Sequence, residues 1–337
     1  MSYHTMKMLS AAVAAALVTM LPALPAAASP KILVDVRTGE VLYGEDASQS
    51  WHPASLTKLM TANLAFKAVR EGRMSDLTPI VMTEHAASVP PSRLGIPPGH
   101  GLMLGDALRI MLTRSMNDVA TAIGENLAGS EPSFAAAMNE EAARLGMKGT
   151  HFANASGLPD PSQVSTAEDL AILARHIIRE YPERMPLFSI PELSVAGKTF
   201  RNTNGLIGRY AGADGMKTGY VCSSGFNLVS TASRDGRRLL SVVLGAPNPR
   251  QREMASSQML DYGFKKPQAS EVTLSSGALS PRPAADMKIW KCGKTYPGFS
   301  VALKPGPQSL EIAIPRPRPL ETRPEQETLH VRTVRRF

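Results

Sequence analysis

Strand patterns at both ends of residues 29–264 enclose a run of helical patterns, and this order limits the folds open to the chain. Two short strands are predicted on either side of a turn at Thr38-Gly39. Three further strands are predicted near the other end, at 213–221, 225–232 and 238–244. This order favours an α+β fold in which N- and C-terminal strands share one antiparallel sheet around a helical insert.

Helical patterns fill the middle of the chain. The first helix is predicted from about Ser55 to Arg70, and Gly72 ends it. The Pro- and Gly-rich residues 88–101 are predicted to form a loop. Further helices are predicted at 103–113, 117–127, 133–145 and 167–179, with a closing helix at 248–262. We therefore predict a single large domain over residues 29–264.

The first 28 residues have the features of a secretory signal peptide. Lys7 precedes an apolar run that ends at Leu24, and Ala26-Ala27-Ala28 forms a small-residue cleavage site before Ser29. The alternative is an uncleaved membrane anchor, although the alanine-rich run is short for a membrane span. Both interpretations predict that residues 29–337 are exported, to the periplasm or the cell envelope.

The positive charge of the chain is concentrated in residues 265–337. The whole chain carries a formal net charge of +8, and this segment alone has 13 Lys+Arg against 6 Asp+Glu, which gives +7. The segment contains ten prolines, and we expect a small β-like appendage followed by a disordered end from about Pro315. The basic segment predicts weak association with an anionic envelope surface. With aromatic residues at only 5%, no nucleic-acid partner is expected.

The chain has two cysteines, Cys222 and Cys292. In an exported protein, one pair of cysteines suggests a disulfide. The alternative is two buried or reactive free thiols, and the spacing alone does not decide between them.

The segment Ser55-Leu56-Thr57-Lys58 places a nucleophile and a base three residues apart. Positions i and i+3 of a helix lie on the same face, so the two side chains can meet. A lysine in a dry site can lose its proton and activate the serine. By itself the pattern is weak, because a serine at this position could simply cap the helix.

Two more fragments follow in order, Ser115-Met116-Asn117 and Lys217-Thr218-Gly219. Ser115 could pass a proton between Lys58 and a leaving amine, and Asn117 offers both a donor and an acceptor to a substrate amide. Lys217 and Thr218, on a predicted strand, could hold a substrate carboxylate, and the charge of Lys217 could lower the pKa of Lys58. Gly219 would let a substrate backbone approach closely.

Together these fragments resemble the active-site signature of penicillin-binding proteins and serine β-lactamases. The chain is most similar to the serine D-alanyl-D-alanine carboxypeptidases, the low-molecular-mass penicillin-binding proteins. The similarity covers most of residues 30–264 and includes the segments Pro53–Lys58, Asn154–Leu158, Ser165–Leu170 and Gly212–Val229. It implies the β-lactamase/transpeptidase-like fold for the domain at 29–264.

The resemblance implies a role for each matching residue. Ser55 would be the acyl-ester nucleophile and Lys58 its proton acceptor, with Ser115 as the relay. Backbone N–H groups of Ser55 and Tyr220 would form the oxyanion hole. Asn117, Lys217, Thr218 and Gly219 would contact the substrate, a peptidoglycan stem peptide that ends in D-Ala-D-Ala. β-Lactams would acylate Ser55, and no metal or cofactor is implied.

Other functions remain open at this point. A D,D-endopeptidase or a β-lactamase could use the same scaffold, and a non-catalytic peptidoglycan-binding protein could keep the pocket. A β-lactamase commonly needs a glutamate-held water, and the sequence offers no convincing counterpart, because Glu192 lies only 25 residues before Lys217 and is expected to be structural. The middle fragment has Met116 where the β-lactamase form has aspartate. Asp160 and Gln163 lie in a turn-rich segment that could border the site, with a structural role as the alternative.

Overall fold

The computed structural model describes residues 29–195, 197–265 and 272–274, and the backbone of 329–331 and 335–336. The predicted signal peptide, Cys292 and most of the basic tail lie outside these residues. Among the residues described, no helix is both long enough and apolar enough to cross a membrane.

The strands form one central sheet and two small ones. They are β1 (Lys31–Asp35), β2 (Val41–Glu45), β3 (Pro79–Val81), β4 (His100–Met103), β5 (Glu192–Val195), β6 (Lys198–Arg201), β7 (Ala213–Val221), β8 (Gly225–Arg234), β9 (Arg237–Ala246), β10 (Leu329–Val331) and β11 (Arg335–Arg336). The central sheet is antiparallel and has the order β2-β1-β9-β8-β7. N- and C-terminal strands therefore share one sheet, which confirms the predicted α+β fold.

Helices supply the insert and cover both faces of the central sheet. They are α1 (Lys58–Arg70), α2 (Glu84–Ser88), α3 (Leu104–Arg114), α4 (Asn117–Ala128), α5 (Glu131–Arg144), α6 (Ala167–Glu180) and α7 (Pro249–Lys265), with short 3₁₀ helices at Ala54–Thr57 and Pro182–Phe188. α6 and α7 both pack on β9. Under α7, the sheet residues Leu33 and Leu239 are fully buried against Met259 and Leu260.

Helix α1 is the centre of the helical insert. Leu59, Met60 and Phe66 are at most 1% exposed, and so are the polar residues Lys58 and Asn63. Most of α1 therefore lies inside the core, and its partly or fully exposed residues are Leu64, Lys67, Val69 and Arg70. The structure thus places the first turn of α1, which carries Lys58, where water is excluded.

Several elements differ from the sequence-based predictions. The segment 88–101 ends in strand β4, which pairs with β3, and a short hairpin of β5 and β6 precedes β7. Two short strands, β10 and β11, fall after Pro315, where a disordered end was expected; they pair with β5 and β4. Such strands are two to four residues long and are held by backbone pairing, so the side-chain pattern gives little sign of them.

Candidate active site

The side-chain nitrogen of Lys58 lies at the meeting point of three segments. Its Nζ donates hydrogen bonds to Ser55 Oγ (3.0 Å), Asn117 Oδ1 (2.8 Å) and the carbonyl of Ser156. Lys58 is completely buried, whereas Ser55 is partly exposed. Ser55, the predicted nucleophile, can therefore meet a ligand from solvent, while the Lys58 side chain beside it stays dry.

A 3₁₀ turn sets the position of Ser55. Residues Ala54–Thr57 form this turn, and α1 begins directly after it at Lys58. Two glycines let other segments pack against the turn. A Cβ on Gly157 would overlap the carbonyl of Ala54, and a Cβ on Gly219 would lie 2.8 Å from Pro53 O and 3.1 Å from Ser55 N.

This packing gives Gly219 a role inside the protein. In the direction where a Cβ would lie, Gly219 faces the protein's own backbone at Pro53–Leu56. Its missing side chain therefore lets β7 pack against the turn that carries Ser55. The close approach of a substrate backbone at Gly219 stays a prediction.

The second fragment lies in the connection between α3 and α4. Ser115 ends α3 with a left-handed backbone (φ 66°), and Asn117 begins α4. The Asn117 amide is held from two sides, because its Nδ2 donates to Pro90 O (3.0 Å) and its Oδ1 accepts from Lys58. Ser115 is partly exposed, and within the described residues its hydroxyl makes no hydrogen bond to Ser55 or Lys58.

The third fragment lies on β7, the edge strand of the central sheet. Lys217 is 1% exposed, and its Nζ donates to the carbonyl of Thr218 (2.9 Å). The Thr218 hydroxyl donates to Thr203 Oγ1 (2.7 Å). Tyr220 follows at the rim, 47% exposed, with its ring stacked on Phe226. β7 thus presents Lys217 and a hydroxyl beside a strand edge that pairs with no other described strand.

Burial controls the electrostatics of both lysines. Burial, reinforced by the charge of Lys217, lowers the pKa of Lys58 well below its ordinary value, while Asp118 opposes this effect. Burial and the nearby Arg252 lower the pKa of Lys217 to about 7. A lysine with a lowered pKa has a larger neutral fraction near pH 7 and can accept a proton.

Three contributors were not predicted from the sequence. The Ser156 carbonyl holds Lys58, Asp118 acts on its charge, and Arg252 acts on Lys217. Ser156 lies in a segment noted only for its family resemblance. Asp118 directly follows Asn117, and Arg252 is on the closing helix α7. No local pattern distinguishes these residues from ordinary polar residues.

Cys222 directly follows β7, and it is disulfide-bonded in the structure. Its predicted partner, Cys292, lies outside the described residues. The pairing of the two cysteines therefore stays a prediction.

Two solved structures that are similar to this chain are penicillin-binding proteins. Penicillin-binding protein 6B from Escherichia coli matches with a TM-score of 0.67 at 34% identity, over 71% of this chain and 77% of that chain. Penicillin-binding protein D2 from Listeria monocytogenes, in its ampicillin-bound form, matches with a TM-score of 0.65 at 33% identity, over 72% of this chain and all of that chain. The fold is therefore the penicillin-binding, transpeptidase-like fold.

The family follows from a match over most of the sequence. The model of the family Peptidase_S11, D-alanyl-D-alanine carboxypeptidase, matches residues 18–248, and the chain belongs to this family. The curated relative DacF from Bacillus subtilis, a D-alanyl-D-alanine carboxypeptidase, is 33% identical over 244 residues. That alignment covers 71% of this chain and 62% of DacF, so the chain spans less than two thirds of that relative.

Proposed function

We propose that this protein is a serine D,D-carboxypeptidase that removes the terminal D-Ala from peptidoglycan stem peptides through an acyl-enzyme at Ser55. The observation that carries the proposal is the 3.0 Å contact between Ser55 Oγ and the Nζ of a fully buried lysine. Family membership supports the reaction, and the curated relatives are named for it.

Acylation begins with proton transfer from Ser55 to neutral Lys58. The Ser55 oxygen attacks the carbonyl carbon of the penultimate D-Ala, and the backbone N–H groups of Ser55 and Tyr220 stabilise the resulting oxyanion. The proton then passes through Ser115 to the amine of the terminal D-Ala, and the peptide C–N bond breaks. Water hydrolyses the ester in the second half of the reaction, which restores Ser55.

The remaining site residues bind the substrate. Lys217 and the Thr218 hydroxyl hold the terminal carboxylate, and Asn117 contacts the amide on the acyl side. β-Lactams enter the same site as covalent inhibitors because their carboxylate and strained amide correspond to the D-Ala-D-Ala terminus. The reaction needs no metal or other cofactor.

The test measures D-Ala release from an acylated peptide ending in D-Ala-D-Ala, with the L-Ala-L-Ala peptide as control. Intact mass after incubation with benzylpenicillin reports the acyl-enzyme. We expect release from the D,D peptide only, and a single penicilloyl adduct that is lost slowly. Rapid loss of the adduct without D-Ala release would instead indicate a β-lactamase. No adduct on folded protein would indicate a binding module.

Replacing Gly219 with alanine is expected to lower the acylation rate about 100-fold, because a misplaced reacting group costs this much. The added Cβ must push β7 away from the backbone at Ser55, which lies 3.1 Å from the position of the new atom. Stopped-flow acylation with a chromogenic cephalosporin measures the rate. Gly44→Ala is the matched control, because the nearest atom to its Cβ is 3.9 Å away. Equal rates for both variants would contradict this role of Gly219.

We also propose that the protein is exported and that its chain has three parts. Residues 1–28 act as a signal peptide, residues 29–264 form the catalytic domain, and the protein works in the periplasm or cell envelope. The basic segment at 265–337 associates weakly with an anionic surface. Co-sedimentation with anionic vesicles is expected to decline when residues 275–337 are deleted and when salt is raised. Unchanged binding of the shortened protein would contradict the role of the tail.

A further inference from the structure

A small cleft lies beside the turn that carries Ser55. Its walls include His52, Ala54, Leu158, Asp160, Gln163 and Ser223. Ala54 directly precedes Ser55, and Leu158 follows the Ser156-Gly157 pair that holds Lys58 and the nucleophile turn. The cleft is therefore continuous with the candidate active site, but none of the three fragments contributes a side chain to it.

The direction of β7 shows which part of a substrate reaches the cleft. Lys217 and Thr218 hold the terminal carboxylate in the proposed function, and Gly219 packs beside Ser55, where the reacting carbonyl must lie. The next residues along β7 lead to Val221, which lines the cleft. A peptide that lies along this strand edge advances about 3.3 Å per residue. The cleft therefore faces the residue that precedes the two D-alanines.

Asp160 is the acidic residue in this cleft. Its Oδ1 accepts hydrogen bonds from the Ser162 backbone (2.8 Å) and from Ser162 Oγ (2.6 Å). Its Oδ2 accepts none within the described residues, and no Lys or Arg there forms an ion pair with it. The hydrogen bonds from Ser162 lower the pKa of Asp160, so the carboxylate stays charged near neutral pH.

Two neighbouring polar side chains of the cleft, Gln163 and His52, are held by the protein, whereas Ser223 makes no side-chain hydrogen bond within the described residues. Gln163 Oε1 accepts from the backbone of Ala153 (3.0 Å), and its Nε2 donates to Leu158 O (3.0 Å). His52 Nδ1 lies 2.9 Å from the Gln163 carbonyl, to which it donates. Asp160 therefore remains as a fixed anion with an unused acceptor, and the ligand group that matches it is a cation.

We propose that Asp160 is a specificity-determining residue that binds the side-chain ammonium of a diamino acid located immediately before the D-Ala-D-Ala terminus. This inference rests on the proposed function, because the direction of the substrate follows from it. A diamino acid with a free terminal amine can extend from the strand edge into the cleft and donate to Asp160 Oδ2. Acylation of that amine removes the charge and the ion pair.

The test compares two peptides that differ only in this charge. One is Nα-acetyl-L-Lys-D-Ala-D-Ala, and the other carries an additional acetyl group on the side-chain amine. We expect wild-type kcat/KM to be about 3- to 10-fold higher for the free amine, as for a partly exposed ion pair. In Asp160→Asn the ratio of the two kcat/KM values is expected to fall to about 1. A general loss of activity cancels in this ratio.

The control is Asp235→Asn, which removes an exposed acid from the turn at the far end of the sheet. It is expected to keep the wild-type ratio. The wild-type ratio should also shrink as salt is raised, which tests the inference without a variant. A ratio that is unchanged in Asp160→Asn, or insensitive to salt, would overturn the role of Asp160. Failure of both peptides and of penicillin acylation would instead overturn the proposed function.

Discussion

Replacing Ser55 with alanine is expected to lower D-Ala release by about 10⁴-fold or more and to abolish the penicilloyl adduct. The variant lacks the oxygen that forms the ester, and no described group next to Lys58 replaces it. Its fold should persist, because the Ser55 hydroxyl makes its one described hydrogen bond with Lys58. Intact mass after penicillin treatment and a D-Ala assay measure the two effects.

The matched control is Ser257→Ala, a serine on α7 whose one described side-chain hydrogen bond is to the Met254 carbonyl (3.0 Å). It should form the adduct at the wild-type rate. An adduct of full stoichiometry on folded Ser55→Ala protein would exclude Ser55 as the nucleophile. In that case the contact between Ser55 and Lys58 would need a structural explanation.

Replacing Lys58 with methionine is expected to slow acylation by about 10³-fold, within the range for loss of a general base. Methionine keeps most of the buried volume but cannot accept the Ser55 proton. Because the pKa of Lys58 lies well below its ordinary value, wild-type acylation should rise with pH through that lowered pKa and then level off. The Met variant should lose this limb. Acylation rates measured from pH 5 to 10 test both statements.

Lys148→Met is the matched control, because Lys148 is an exposed lysine. It should keep both the rate and the pH profile of the wild type. A Lys58→Met protein that acylates at the wild-type rate would move the role of base to another group. Lys217, with a pKa of about 7, would be the first group to examine.

The same lysine also makes stability depend on pH. The folded-state pKa of Lys58 is lower than the unfolded value, so the unfolded chain binds more protons between these two values. The free energy of unfolding should therefore rise with pH across this interval, by at most about 1.4 kcal/mol per pH unit for one group. Lys58→Met should show a smaller slope in urea unfolding experiments.

Much of the fold could be predicted from local patterns. The β1–β2 hairpin, the helices α3 to α6 and the strands β7 to β9 have clear periodicity or turn residues, and the structure contains them near the predicted bounds. The elements β3 to β6 were missed, as was α2. They are short, and α2 and β4 lie at the two ends of the Pro- and Gly-rich segment 88–101, which is predicted to form a loop. Their pairing depends on neighbours that are distant in sequence.

The reactive side chains could also be predicted, but their surroundings could not. Ser55 and Lys58 are three residues apart, so the short turn at the start of α1 brings them together. Ser156 holds Lys58 through a backbone carbonyl, which every residue possesses, and Gly157 and Gly219 act through the space they leave. None of these contributions depends on a distinctive side chain, so sequence patterns do not reveal them.

The sequence by itself determined the order of the elements and the chemical groups available to the site, because periodicity and side-chain chemistry are local properties. Only the tertiary structure decided that Lys58 is dry, that Lys217 lies close enough to act on its charge, and that Asp160 opens onto the adjoining cleft. The physical reason is that the pKa of a side chain and the shape of a binding surface depend on solvent exclusion and on nearby charges. In this protein those surroundings come from segments that are far apart in sequence, such as Lys58 and Lys217, about 160 residues apart.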